Sequence, residues 1–161
     1  MKQLWAPWRM KYIKSKKKQK CFLCLESKKD EELVIYKGEK CFVILNAYPY
    51  NNGHIMIAPY RHILRLQDLS EEETREFFDL TKQSLAVLDQ TMKPEGYNIG
   101  INLGKAAGAG EAHLHLHVVP RWVGDTNFMP ILADVKVMPE HLDRNCKILR
   151  RAFKKHGTGS I

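Results

Sequence analysis

His113-Leu114-His115-Leu116-His117-Val118-Val119, followed at once by Pro120-Arg121, decides how this chain is read. Imidazole and aliphatic side chains alternate strictly, the pattern of a half-buried strand whose successive residues point to opposite faces. Three rings therefore share one face, about 6–7 Å apart, while Leu114, Leu116 and Val118 share the other. Imidazole is a nucleophile towards phosphorus and titrates near neutrality, so the row suits phosphoryl or nucleotidyl transfer, or metal binding. A surface strand that merely carries histidines is the competing reading. Just upstream, Gly104-Lys105-Ala106-Ala107-Gly108-Ala109-Gly110 is a loop of small residues through which backbone N–H groups can approach an anion, and Asn102 ends the strand before it. A glycine-rich loop alone is weak evidence, but one that delivers a three-histidine strand is strong evidence.

Working outward, Leu33 to Tyr36 and Cys41 to Leu45 read as two strands around a turn, Lys37-Gly38-Glu39-Lys40. A loop with Pro49 and Asn51-Asn52-Gly53 leads to a third strand, His54 to Pro59, and short connections predict an antiparallel meander. Ser70 followed by Glu73 is a capping box. Phe77, Leu80, Thr81, Leu85 and Leu88 then recur at helical spacing until Pro94 and Gly96. Tyr97 to Asn102 is the fourth strand, His113 to Val119 the fifth, and Pro139 to Phe153 a second amphipathic helix with Cys146 near its end. The expectation is an α+β fold, a five-stranded antiparallel sheet with two main helices in a domain spanning 21–153, with a frayed tail over 154–161.

The chain has 161 residues, enough for one domain with a real core. Its formal charge is +8, and Lys2, Arg9, Lys11, Lys14, Lys16, Lys17, Lys18 and Lys20 stand in the first twenty residues with no acid among them. The remainder balances to zero, which argues against a basic nucleic-acid-binding face on the domain and leaves the lysines as a solvated arm over 1–20, with a polyphosphate or RNA contact as the minor alternative. Trp5, Trp8 and Tyr12 in that arm should pack on the domain or a partner subunit. No membrane span or secretory leader is evident, so a cytoplasmic location is expected, and the four cysteines do not read as a disulfide framework. Cys41 reads as a small buried hydrophobe.

The His-φ-His-φ-His-φ-φ signature resembles that of the histidine triad family of nucleotide-binding proteins. The likeness extends through Asn46 to His54, Pro59 to His62, Asn102 to Gly110 and Pro120 to Phe128. It implies a homodimer with a continuous ten-stranded sheet. It also implies that His115 is the nucleophile, forming a covalent nucleotidyl-histidine, with its Nδ1 proton held by the carbonyl of His113. His117 would bind a phosphate oxygen or help protonate the leaving group. Amides around Gly108 to Gly110 would stabilise transition-state charge, and Asn102 would hold a phosphate or bridging oxygen. Asn46 would bind ribose, with an Asx turn as the ordinary alternative. Phe22, Phe42 and Ile44 would hold the base, and His54 would stand beside the triad, with a satisfied core histidine as the alternative.

Zinc-bearing relatives use Cys21-x-x-Cys24, His62 and His113 for a structural Cys₂His₂ site, against the alternative of two reduced thiols without metal. Pro120-Arg121 with Gly124-Asp125 resembles both the diadenosine tetraphosphate phosphorylase branch and the fragile-histidine-triad hydrolase branch. Trp122, Asn127-Phe128 and the aromatic start favour the phosphorylase. Many relatives carry glutamine and then serine or threonine where this chain has Ala109 and Gly110, which leaves the acceptor open. Phosphoramidate hydrolysis and a non-catalytic nucleotide-binding signalling module are the further readings.

Overall fold

The computed structural model describes residues 21–25, 30–125 and 140–156. Five strands, β1 (Val34–Lys37), β2 (Cys41–Leu45), β3 (Ile55–Pro59), β4 (Gly96–Ile101) and β5 (Leu116–Arg121), form one antiparallel sheet in the order β1-β2-β3-β5-β4. Helix α1 is Glu71–Met92 and helix α2 is Leu142–His156. The meander holds for β1 to β3, but β5 then inserts between β3 and β4. That places the last strand, which carries His117 and is entered through His113 and His115, inside the sheet rather than at its edge.

Alternation puts the two faces of the sheet to different uses. Cys41, Val43, Leu45, Ile55, Ile57, Leu116 and Val118 pack against Phe77, Leu80, Val87 and Leu88 of α1 and Cys146, Leu149 and Phe153 of α2. On the opposite face Val34, Phe42, Ile44, Met56 and Ala58 gather around Leu23, with Phe22 packed alongside. Met56 pairs with His117 and Ile57 with Leu116, so His117 lies on the face away from the helices.

Local chemistry sets the element ends. The capping box is present, with Ser70 accepting from the Glu73 N–H and Glu73 accepting from the Ser70 N–H, and α1 ends at Lys93 in the left-handed region just before Pro94. The β1–β2 turn is held by Glu76 of α1, whose carboxylate accepts from the N–H groups of Glu39, Lys40 and Cys41 at 2.8, 2.5 and 2.7 Å. Glycine at 38 is required there, because a Cβ would lie 2.4 Å from Glu76 Oε1 and 2.8 Å from the Cys41 carbonyl oxygen. Arg150 ties α2 to β1 by donating to the carbonyl oxygens of Val34 and Glu32 at 2.6 and 2.7 Å.

Several expected boundaries shift. The fifth strand begins at Leu116, not His113, because the Leu114 N–H donates to the Ile63 carbonyl at 2.7 Å and is committed to that loop. The strand runs on through Pro120, where the β3 ladder has ended and the proline carbonyl accepts instead from Asn51 Nδ2 at 3.0 Å, so the missing proline N–H costs no ladder bond to β3. Helix α2 begins later than expected and continues to His156, so 154–156 are its last turn rather than tail, and Cys146 lies in its first half. The arm over 1–20, residues 157–161 and Asn127-Phe128 lie outside the described residues.

Candidate active site and metal centre

Two constellations meet on the segment 113–117. In the first, His115 Nδ1 donates to the carbonyl oxygen of His113 at 2.7 Å. A neutral imidazole has one N–H, so this bond places the lone pair on Nε2. Burial pushes the His115 pKa below its ordinary value, which keeps the ring neutral and the lone pair available. The His117 ring stands edge-on, with centroids 4.7 Å apart.

The tautomer of His117 follows from a chain of donors. The Tyr50 N–H donates to His54 Nδ1 at 3.0 Å, so the His54 proton is on Nε2. His54 Nε2 lies 3.0 Å from His117 Nδ1 and donates to it, which leaves the His117 proton on Nε2. Burial, with a smaller contribution from His115, pushes His117 down to about 4. Near neutral pH it is therefore an uncharged hydrogen-bond donor rather than an acid, and of its two expected roles the geometry suits contact with a phosphate oxygen. His54 is fully buried beside His117.

Gly100 pairs with His117 across β4 and β5, and with no side chain it leaves the space beside that ring open. Extending the register one residue beyond the Ile101–Leu116 pair sets Asn102 opposite His115. The small-residue loop is a tight turn, with Gly104 and Gly108 at positive φ of 79° and 87°. The Ala107 and Ala109 N–H groups donate to the Gly104 carbonyl and the Gly108 N–H to that of Lys105, so the Gly108 and Ala109 amides serve the loop itself rather than an anion. Asn46 makes an Asx turn, its Oδ1 accepting from the Tyr48 N–H at 2.9 Å. Phe42 and Ile44 are wholly buried in the second cluster, and Phe22 is the more accessible of the three expected base contacts.

The second constellation brings together Cys21, Cys24, His62 and His113, whose ligand atoms all lie within 4.8 Å of one another. His113 Nε2 donates to the Pro59 carbonyl at 2.9 Å, so its Nδ1 lone pair faces Cys21 Sγ at 3.4 Å and Cys24 Sγ at 3.8 Å. His62 Nδ1 lies 3.2 Å from Cys24 Sγ. Tetrahedral zinc, with bonds of about 2.0–2.3 Å, separates its ligand atoms by about 3.3–3.8 Å, so the donor types and these three separations fit zinc. His62 is carried on a loop fixed by Arg61, which donates from Nε and Nη2 to Glu73 at 2.7 and 2.6 Å and from Nη2 to the Asp68 carbonyl at 2.7 Å.

Sequence reasoning missed three contributors. Arg61 and Glu76 act across long stretches of chain and carry no local signal. Tyr50 acts on His54 through its main chain, which no side-chain pattern reveals. Arg121 donates from one guanidinium edge, Nε and Nη2, to the two carboxylate oxygens of Asp125 at 2.6 and 2.9 Å, and Asn51 also donates to Asp125 at 2.7 Å. These residues brace the end of β5.

The family model described as HIT domain matches residues 27–123. The chain is 38% identical over 161 residues to an AP-4-A phosphorylase of Mycobacterium tuberculosis, an alignment covering 92% of this chain and 83% of that one. It is 32% identical over 99 residues to a bis(5'-adenosyl)-triphosphatase of Saccharomyces cerevisiae, covering 58% of this chain and 48% of that one. Among solved structures it resembles a Zn-bound histidine triad family protein from Mycobacterium smegmatis with a TM-score of 0.68 and 26% identity, covering 87% of this chain and 97% of that one. With the family model spanning over half of its length and the signature histidines grouped at the start of β5, the chain belongs to the HIT domain family.

Proposed function

We propose that this protein is an enzyme that transfers an adenylyl group from a dinucleoside polyphosphate, diadenosine tetraphosphate in the first instance, to inorganic phosphate. The carrying observation is the 2.7 Å bond from His115 Nδ1 to the His113 carbonyl, which leaves Nε2 free for in-line attack. In the first step Nε2 forms a bond to an α-phosphorus and the phosphoanhydride bond breaks, its electron pair leaving with ATP. Nδ1–H stays on the ring, and its carbonyl partner steadies the positive charge that the ring acquires. A polyphosphate is a stable anion near neutral pH, so His117 needs only to donate a hydrogen bond from Nε2. In the second step a phosphate oxygen forms a bond to the adenylyl phosphorus, the P–N bond breaks, and its electron pair returns to Nε2 with release of ADP.

The likeness to the mycobacterial phosphorylase supports phosphate as acceptor. Incubation with diadenosine tetraphosphate should give ATP and ADP when phosphate is present. Formation of AMP and ATP regardless of phosphate would assign hydrolysis instead, and absence of any acid-labile adenylylated protein would overturn the covalent route.

Cys21, Cys24, His62 and His113 are the residues that would hold zinc. The metal would supply a closed structural tie between the start of the domain and the histidine segment. A homodimer paired through β4 completes the proposal. That strand is at the sheet edge, and Ile99 on it and Leu103 just after it are about half exposed. Sedimentation should show a dimer, and Ile99→Lys should shift it towards monomer. Among the described residues no helix is long and apolar enough to cross a membrane.

A further inference from the structure

His117 can donate towards a phosphate only while its single proton stays on Nε2. Its Nδ1 meets His54 Nε2 at 3.0 Å, so the tautomer of His54 decides that of His117. A neutral imidazole left to itself divides its proton between its two nitrogens, and a fixed arrangement needs a group that can only donate or only accept. A backbone N–H is such a group.

Tyr50 touches His54 in two independent ways. Its N–H donates to His54 Nδ1 at 3.0 Å, which forces the His54 proton to Nε2. Its ring lies nearly parallel to the imidazole, at 5.0 Å between centroids and 18° between planes, and 6.1 Å from the His117 ring. Tyr50 is 55% exposed while His54 is fully buried, so the tyrosine covers that imidazole and takes the solvent contact itself. The local chain is shaped for this. Pro49 precedes Tyr50, the Tyr48 N–H is held by Asn46, and the His54 N–H closes back on the Asn51 carbonyl at 3.2 Å.

We propose that Tyr50 is a positioning residue that fixes the proton of His117 on Nε2, by donating its N–H to His54 and by covering the His54 ring. The consequence for turnover rests on the adenylyl-transfer reading, whereas the consequence for proton placement does not. The phenol hydroxyl has no part in either contact, so Tyr50→Phe is the neutral control. Tyr50→Ala removes the ring and keeps the N–H, and Tyr50→Pro removes both.

Long-range proton–nitrogen spectra of the full chain labelled with nitrogen-15 report which ring nitrogen is protonated. His54 and His117 should both be Nε2–H in the parent and in Tyr50→Phe. Tyr50→Pro should show Nδ1–H populations at both rings, and Tyr50→Ala smaller ones. With diadenosine tetraphosphate, kcat should fall on the order of tenfold in Tyr50→Pro and less in Tyr50→Ala, with KM unchanged within about twofold, since misplacing a donor forfeits part of its contribution. Parent-like tautomers in both variants would overturn the proposal. So would a raised KM at constant kcat, which would make Tyr50 a substrate contact. If Tyr50→Pro fails to fold, Tyr50→Ala decides alone. Tautomer shifts in a protein that turns over no dinucleoside polyphosphate would refute the adenylyl-transfer reading and uphold the role of Tyr50.

Discussion

His113 faces both constellations, its carbonyl oxygen accepting the Nδ1 proton of His115 at 2.7 Å while its own Nδ1 points at Cys21 Sγ 3.4 Å away. One residue thus orients the proposed nucleophile with its main chain and completes the thiol–imidazole cluster with its side chain.

Replacing His115 by alanine should remove the adenylylated protein altogether and lower kcat by at least about 10⁴-fold, the scale seen when a covalent nucleophile is lost. Labelled diadenosine tetraphosphate, quenched and separated under mildly alkaline conditions, checks both effects. Nucleotide binding measured by calorimetry should survive.

Cys24 lies near both imidazoles of the cluster, 3.2 Å from His62 and 3.8 Å from His113. Cys24→Ser should reduce bound zinc from about one equivalent to well under half, as measured on protein purified without chelator. With metal at a hundredfold its dissociation constant, the lost linkage is about 2.7 kcal/mol, or a fall in Tm of about 5–11 °C. An unchanged melt and unchanged zinc would reject the site.

The β1–β2 turn depends on close approach of Glu76. Gly38→Ala would drive a methyl group into the Glu76 carboxylate and the Cys41 carbonyl, and should cost about 1–3 kcal/mol in urea unfolding. Glu76→Gln keeps one acceptor oxygen and loses the charge that three N–H groups share, which should cost about 1.5–3 kcal/mol.

His117 gives stability a pH dependence of known sign. Its folded pKa is about 4, lowered mainly by burial, against about 6.5 when unfolded. The unfolded chain therefore binds the proton more readily, so the contribution is whole above pH 6.5 and is lost as pH falls towards 4. The loss is up to about 3 kcal/mol. Urea midpoints at pH 7, 5.5 and 4.5 should fall more steeply for the parent than for His117→Gln. The difference between the two isolates this ring from other acid-sensitive groups.

Much of this architecture can be read directly from the chain. Alternation at 113–119 and the capping box at Ser70 and Glu73 are local signals, and each marks an element that the fold contains. Alternation continues through His113 and Leu114 and so sets the start of β5 too early, because the Leu114 N–H is committed to Ile63 and the His113 carbonyl to the His115 ring. The position of β5 between β3 and β4 depends on pairing across the long α1 crossover, which periodicity does not encode. The cluster of Cys21, Cys24, His62 and His113 is legible only through spacing combined with family likeness. The proton chain through Tyr50 and His54 leaves no mark in the sequence, because its first donor is a main-chain group that every residue type but proline provides.

The acceptor that orients His115 belongs to the peptide backbone, and that has a genetic corollary. No codon change at position 113 can delete a carbonyl oxygen, although nearly every one deletes the imidazole beside the cysteines. Mutational drift can therefore erode the thiol cluster in descendants of this chain while the nucleophile keeps its aim, so the two properties can be lost separately in evolution.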